Sequence, residues 1–284
     1  MSARSVARHL ALSGLAFWYR AAGRMSSLDQ DHIQFLYLHH MFPDEEAPFR
    51  RLLTALSRTH HLIGYSEAVD RILNGRIDKP YLCLSVDDGL KNSLRAARIM
   101  KEFGVSGCFF ICPAMVGETN HQRLEEYCRQ RFGMPPTELM SWNDIGTILK
   151  DGHEIGSHTM THPVLSRISE HQAQDEIARS YEWLVAKAGR VDHFAWPEGR
   201  FFHFTPAAAE MVFDAGFKSC ASAERGCHVA RPAGAERSLC IRRDYISAKW
   251  PLSHVLYFIV RNCLTASDHN NQWPEGWFES QSRT

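Results

Sequence analysis

The sequence predicts an α/β protein whose parallel strands curl into a distorted barrel of seven or eight strands. Short apolar runs alternate with segments of helical periodicity, polar clusters close the runs, and one chain of 284 residues holds about seven such units. A parallel sheet needs helical crossovers between its strands, which is the order observed. That length suits a single barrel as well as two smaller domains. Hydrophobic residues make up 44% of the chain, and 32 basic side chains balance 32 acidic ones, so a large core is available. A net charge of zero provides no overall positive field for gathering nucleic acid or an anionic membrane, which leaves both classes of partner without support from the chain as a whole.

Residues 1–32 read as an N-terminal extension carrying an amphipathic helix. Leu10, Leu12, Leu15, Phe17, Trp18 and Met25 oppose Arg4, Arg8, Arg20 and Arg24. The apolar stretch is short, broken by Ser13-Gly14 and followed by Tyr19-Arg20, unlike the hydrophobic region of a secretory signal. The helix is expected to pack on the domain, with contact to a membrane surface as the alternative. No later stretch approaches the ~18 apolar residues of a transmembrane span. Eight Cys without a CxxC pair fit buried hydrophobes in a reducing, cytoplasmic setting better than a disulfide scaffold.

Ile33 to His39 is a buried strand that delivers His39 and His40 to its end. Helices follow at Phe49–Arg58 and from Tyr65, with Ser66 as cap, to Gly75; the doublet His60-His61 between them is expected on the surface. Pro80–Val86 is the next strand and ends at Asp87-Asp88-Gly89. A helix over Asn92–Phe103 stops at Gly104, and Ser106–Ile111 returns as a strand. Pro113 to Met140 is too long for a plain connection, so a functional loop or a helical insert is expected there. Ser141–Lys150 and Ser169–Ala188 are helices on either side of His153–His158. The strand-like His193–Trp196, a helix over Pro206–Ala215 and a strand over Gly216–Ala221 complete the alternation. The barrel occupies residues 33–250, leaving 251–284 as a C-terminal helix and tail. Trp142, Trp183 and Trp250 are expected in the core, while the packing of Trp273 and Trp277 is not decided by the sequence.

Strand C-termini form the working face of a parallel α/β fold, and His39, Asp87-Asp88, His158 to His162 and Pro197-Glu198-Gly199 all fall there. Asp-Asp-Gly is also ordinary turn material. His158-Thr-Met-Thr-His162 carries more information, because two imidazoles four residues apart on a single turn reach one metal. With sixteen His in the chain, the pair is equally open to coincidence. If Asp88 faces the pair, two His and one carboxylate with open positions suit Zn(II), Fe(II) or Co(II).

Ser85-Val-Asp-Asp-Gly89 resembles the Thr-Phe-Asp-Asp-Gly motif of the polysaccharide deacetylases, the NodB-homology family of carbohydrate esterases. Gly152-His-Glu-Ile-Gly-Ser-His-Thr-Met-Thr-His162 is similar to that family's second motif, and His193-Phe-Ala-Trp-Pro-Glu-Gly199 to its third. Leu38-His-His-Met-Phe-Pro43 resembles the opening strand of the bacterial branch active in polysaccharide and lipopolysaccharide synthesis. Order and spacing agree from about residue 33 to 245. The resemblance implies a NodB-type barrel and a metal-dependent N-deacetylase acting on an N-acetylated amino sugar in a polysaccharide or a lipid-linked saccharide. It implies Asp88, His158 and His162 as ligands of one divalent metal, zinc above all, and Asp87 as general base. It gives the oxyanion-binding N–H to Glu198, beside Pro197 and Trp196, and the proton donor to His39.

Two positions depart from the family pattern. Ala195 stands where an Arg usually orients the catalytic Asp, which leaves Asp87 to be held by another group, with Arg200 as the candidate. The late Leu-x-His acid motif has a loose counterpart in Leu252-Ser-His254, ranked below His39; a core or capping role stays open for His39 as well. The departures motivate one rival, an impaired deacetylase-like barrel that binds sugar or a partner protein. A glycosidase using both aspartates is the other, and it suffers because adjacent strand carboxyls point apart.

Overall fold

The computed structural model describes residues 3–133, 135–232, 238–269 and 273–278. The parts of the N-terminal extension and the C-terminal tail at 1–2, 270–272 and 279–284 lie outside the described residues. The strands are β1 (His32–Leu38), β2 (His61–Leu62), β3 (Pro80–Val86), β4 (Cys108–Ile111), β5 (Glu154–Ser157), β6 (His193–Ala195), β7 (Ser219–Ala221), β8 (Cys227–His228), β9 (Cys240–Ile241) and β10 (Asp244–Tyr245). They form one strongly curled sheet in the order β10-β1-β3-β4-β5-β6-β7-β9, parallel throughout that path. Eight strands therefore make the barrel wall among the described residues, as the alternation implied. β2 adds to the first half of β3, and β8 pairs antiparallel with the start of β1.

The path begins at β10 and ends at β9, and only Arg242 and Arg243 separate these two strands in the chain. The barrel seam is thus crossed by covalent backbone. This places Arg243 at the joint, where an inward side chain reaches the interior.

Both faces of the wall are apolar, as burial under crossover helices requires. On β1 and β3 one alternation points inward, where Ile33, Phe35, Tyr81 and Cys83 join Phe110 and Ile241 in the barrel interior. The other points outward, where Leu36, Leu38, Leu82, Leu84 and Val86 meet the helices. The helices are α1 (Ala3–Ala21), α2 (Glu46–Leu56), α3 (Tyr65–Leu73), α4 (Leu94–Glu102), α5 (His121–Phe132), α6 (Trp142–Lys150), α7 (Glu170–Ala188), α8 (Pro206–Asp214) and α9 (Leu252–His269); α3 instead buries Tyr65, Ala68, Val69 and Ile72 with the interior residues, and α5 packs Leu124, Tyr127 and Cys128 in a cluster of its own. Capping boxes at Ser141/Asp144 and Ser169/Gln172 start α6 and α7 where the sequence placed them. The long excursion after Pro113 contains α5, so it is a helical insert.

Several expectations are corrected. The cap of α3 is Gly64 instead of Ser66, whose N–H donates to Glu154 on β5 at 3.0 Å. His60 is buried, with its Nε2 3.2 Å from that of His32, because the turn after α2 folds onto the base of the barrel. Trp183 is 46% exposed and lies outside the core, on the outer face of α7. In the tail, Trp273 stacks on Trp196 at 5.7 Å and on Trp277 at 5.5 Å, extending an aromatic column begun by Trp196 and Phe204 at 4.5 Å. All eight cysteines are buried free thiols.

Candidate metal centre and catalytic pocket

Inward alternation along β3 carries Tyr81, Cys83, Ser85 and then Asp87 into the barrel. By the same alternation Asp88 would face the helices. Instead its φ of 76° turns the backbone into the left-handed region and swings its carboxylate over the mouth. The same device recurs: Asp88, Thr159, His162 and Glu198 are the non-glycine residues with positive φ among the described residues, and all four belong to the three motifs. Left-handed backbone at a β-branched residue such as Thr159 is costly, on the order of 1–3 kcal/mol, and such strain collects at functional sites. His162 N–H donates to Thr159 Oγ1 at 3.0 Å, which ties the second motif into a tight turn without a helix.

That turn brings the two imidazoles to 4.8 Å between ring centres. Asp88 Oδ1 lies 3.4 Å from His158 Nε2 and 3.1 Å from His162 Nε2, and the three ligand atoms fall within 4.8 Å of one another. His158 Nδ1–H donates to the Ala195 carbonyl at 2.7 Å, which leaves Nε2 as the free coordinating nitrogen. Asp88 Oδ1 is buried and makes no hydrogen bond of good geometry. An anionic oxygen without a donor, aimed between two imidazole nitrogens, is what a divalent cation satisfies. The residues therefore fit the metal that their pattern implies. Burial works against ionisation of Asp88, but the His158, His162 and His39 imidazoles outweigh it and hold the carboxyl well below the usual range. Burial likewise favours neutral His158, yet Asp88 and Asp87 keep its pKa raised.

Asp87 is held by Arg243, which sequence reasoning did not identify. The guanidinium donates from both terminal nitrogens to Asp87 Oδ1 and Oδ2, at 2.8 and 2.9 Å. Two further donors go to Ser85 Oγ at 3.0 Å and the Ser222 carbonyl at 3.0 Å, and the cation lies against the Tyr37 ring at 4.6 Å. Arg200, the candidate for this task, pairs with Glu224 at 2.9 Å on the outside and does not line the cavity. Pro197 does not line it either; it is buried, while Glu198 and Gly199 face the opening. Gly199 has a φ of 63°, and a Cβ there would lie 2.4 Å from that of Ala223, so only glycine fits. Trp196 reaches the cavity wall but is 1% exposed, with its ring committed to the aromatic column and its N–H to the Arg200 carbonyl.

His39 continues the inward alternation of β1 beyond Tyr37 and lines the cavity, with Nε2 3.8 Å from Asp88 Oδ2. His254 is elsewhere. It lies on α9, where Nε2 meets Ser13 Oγ of α1 at 3.0 Å and the ring stacks on His9. The cavity, open at the mouth, measures about 210 Å³, less than the ~300–1,000 Å³ that accommodates a drug-sized ligand.

The sequence pattern of the polysaccharide deacetylase family matches residues 74–218, about half of the chain, and the chain belongs to that family. It is a hydrolase of the polysaccharide deacetylase type. Among solved structures, it is similar to IcaB from Ammonifex degensii, with a TM-score of 0.66 at 20% identity over 81% of this chain and 98% of that one. The de-N-acetylase from Aggregatibacter actinomycetemcomitans gives 0.63 at 15% identity over 80% and 100%. PplD from Streptococcus pyogenes gives 0.62 at 16% over 79% and 96%. These likenesses establish a shared barrel fold.

Proposed function

We propose that the protein is a metal-dependent N-deacetylase that hydrolyses the acetamide of an N-acetylated amino sugar in a polysaccharide or a lipid-linked saccharide. The observation that carries this reading is the convergence of Asp88, His158 and His162 on one point beside Asp87, whose carboxylate is clamped from behind by a buried arginine. Zn(II) suits two imidazoles and one carboxylate, with Fe(II) and Co(II) as alternatives. A divalent ion held there supplies the Lewis acidity that activates water and polarises the amide carbonyl.

The chain's own residues supply the rest. Arg243 occupies two of the roughly four acceptor positions of the Asp87 carboxylate, leaving others toward the cavity to take the proton of the attacking water. The Glu198 N–H, turned by its left-handed backbone, donates to the oxyanion as the carbonyl carbon becomes tetrahedral. His39 at the rim protonates the departing nitrogen, so the C–N bond breaks to give a free amine and acetate. Arg243 supplies the clamp that Ala195 cannot, which removes the main motive for an impaired barrel. A cytoplasmic location is supported by eight buried cysteines that form no disulfide.

An acetate-release assay on a panel of N-acetylated oligosaccharides, with product length followed in parallel, tests the reading. Acetate without chain shortening is expected. Shortened chains would point to a glycosidase, and neither product on any substrate would favour a silent sugar-binding barrel.

A further inference from the structure

Helix α1 has an apolar face that its packing leaves uncovered. His9, Ser13 and Tyr19 turn toward α9, where His9 and Ser13 meet His254 and Tyr19 meets Tyr257 edge-on at 4.8 Å. On another side Val6, Leu10 and Phe17 are 43%, 69% and 75% exposed. At about 100° per residue they fall within roughly 40° of arc and form one stripe. Trp18, half exposed, borders it.

The charge of this segment is of one sign. Residues 1–28 contain Arg4, Arg8, Arg20 and Arg24 and no carboxylate, in a chain that as a whole balances 32 basic against 32 acidic side chains. Arg24 lies over the Trp18 ring at 4.4 Å. On the same wheel Arg20 falls about 40° from Val6, whereas Arg8 turns to the opposite side against Trp250; exposed apolar groups with Arg20 and Arg24 beside them complement an anionic lipid surface, where apolar groups enter the acyl boundary and arginines meet the headgroups. A second copy of the helix would instead face arginine with arginine.

α1 also lies beside the catalytic mouth. Arg8 is 5.4 Å from the Trp250 ring, Trp250 packs edge-on against Tyr245 at 5.7 Å, and Tyr245 is 5.4 Å from His39. No described helix is long and apolar enough to cross a membrane, which leaves docking in the plane of the surface.

We propose that α1 docks the protein on an anionic bilayer through Val6, Leu10, Phe17 and Trp18, holding the rim at His39 close to the membrane surface. A saccharide carried on a lipid then meets the mouth without the enzyme leaving the bilayer. Docking does not depend on the chemistry at the mouth, so the two are tested separately.

The full-length protein is sedimented with vesicles of phosphatidylcholine alone and of phosphatidylcholine with phosphatidylglycerol. Binding is expected with the anionic vesicles only, and it weakens as salt is added. Leu10→Glu with Phe17→Glu should lower partitioning by about tenfold or more for each anchor lost, with acetate release from a soluble oligosaccharide unchanged. Absence of binding to anionic vesicles overturns the proposal, as does equal binding by the double variant. A dimer in solution that the same substitutions dissociate would assign the stripe to a second copy and also overturn it.

Discussion

Replacing Arg243 by Gln removes the group that aims Asp87. Both partners are almost fully buried, at 1% and 3% exposure, and the guanidinium makes two hydrogen bonds to the carboxylate, one to Ser85 and one to Ser222. Breaking such a pair by deleting one member leaves a charge inside the barrel and costs about 3–5 kcal/mol. At ~2–4 °C per kcal/mol for a protein of this size, Tm should fall by about 6–20 °C. Turnover should fall by about 10²-fold or more, since a base that loses its orientation forfeits much of a 10²- to 10⁴-fold contribution. Arg243→Lys restores a charge without the planar fork, so it should regain most of the stability and only part of the rate. The assay is kcat and KM for acetate release together with thermal unfolding and metal content. A kcat for Arg243→Gln within a few-fold of wild type would refute the positioning role.

The two aspartates should separate cleanly. Asp87→Asn is expected to keep the metal and lose about 10²- to 10⁴-fold in turnover, whereas Asp88→Asn loses metal and turnover together; equal metal loss in both would merge their roles. His39→Ala should lose most turnover with metal content intact, while His254→Ala leaves turnover near wild type and loosens α1, read as faster proteolysis of residues before 30; the opposite order in kinetics would move the proton donor to α9. His228 is wholly buried, and burial pushes its pKa down to about 3 from an ordinary 6.5. Between those values the unfolded chain binds a proton that the folded chain refuses, so stability rises with pH across that window and is lost as pH falls through it. His228→Asn should remove up to about 1.4 kcal/mol per pH unit from that slope in urea unfolding; an unchanged slope would contradict it.

The barrel was legible in the sequence because its longer strands are continuous apolar runs and its helices carry clear caps, as at Ser141 and Ser169. β2, β8, β9 and β10 were not legible, since two residues each give no periodicity to read. The ligand motifs were legible because their spacing is local: His158 and His162 sit on one turn, and Asp88 ends a strand. The Asp87 clamp joins residues 156 positions apart, which no local pattern encodes. A signal existed in Leu239-Cys-Ile-Arg-Arg-Asp-Tyr, a short apolar run ending in paired arginines where a last strand would close the barrel. Arg200 was the nearer choice in sequence, yet Gly199 turns the chain outward and gives it to Glu224. His60 was misplaced for a related reason, because burial of a polar doublet depends on what the turn folds onto.

The most direct measurement is a titration of metal-free protein with zinc, following acetate release from an N-acetylated oligosaccharide. Activity should rise linearly and stop at one ion per chain, and the His158→Ala, His162→Ala double variant should remain folded, bind no stoichiometric ion and release no acetate. Full activity after chelation, or a double variant that still saturates at one ion, would contradict a metal held by Asp88, His158 and His162.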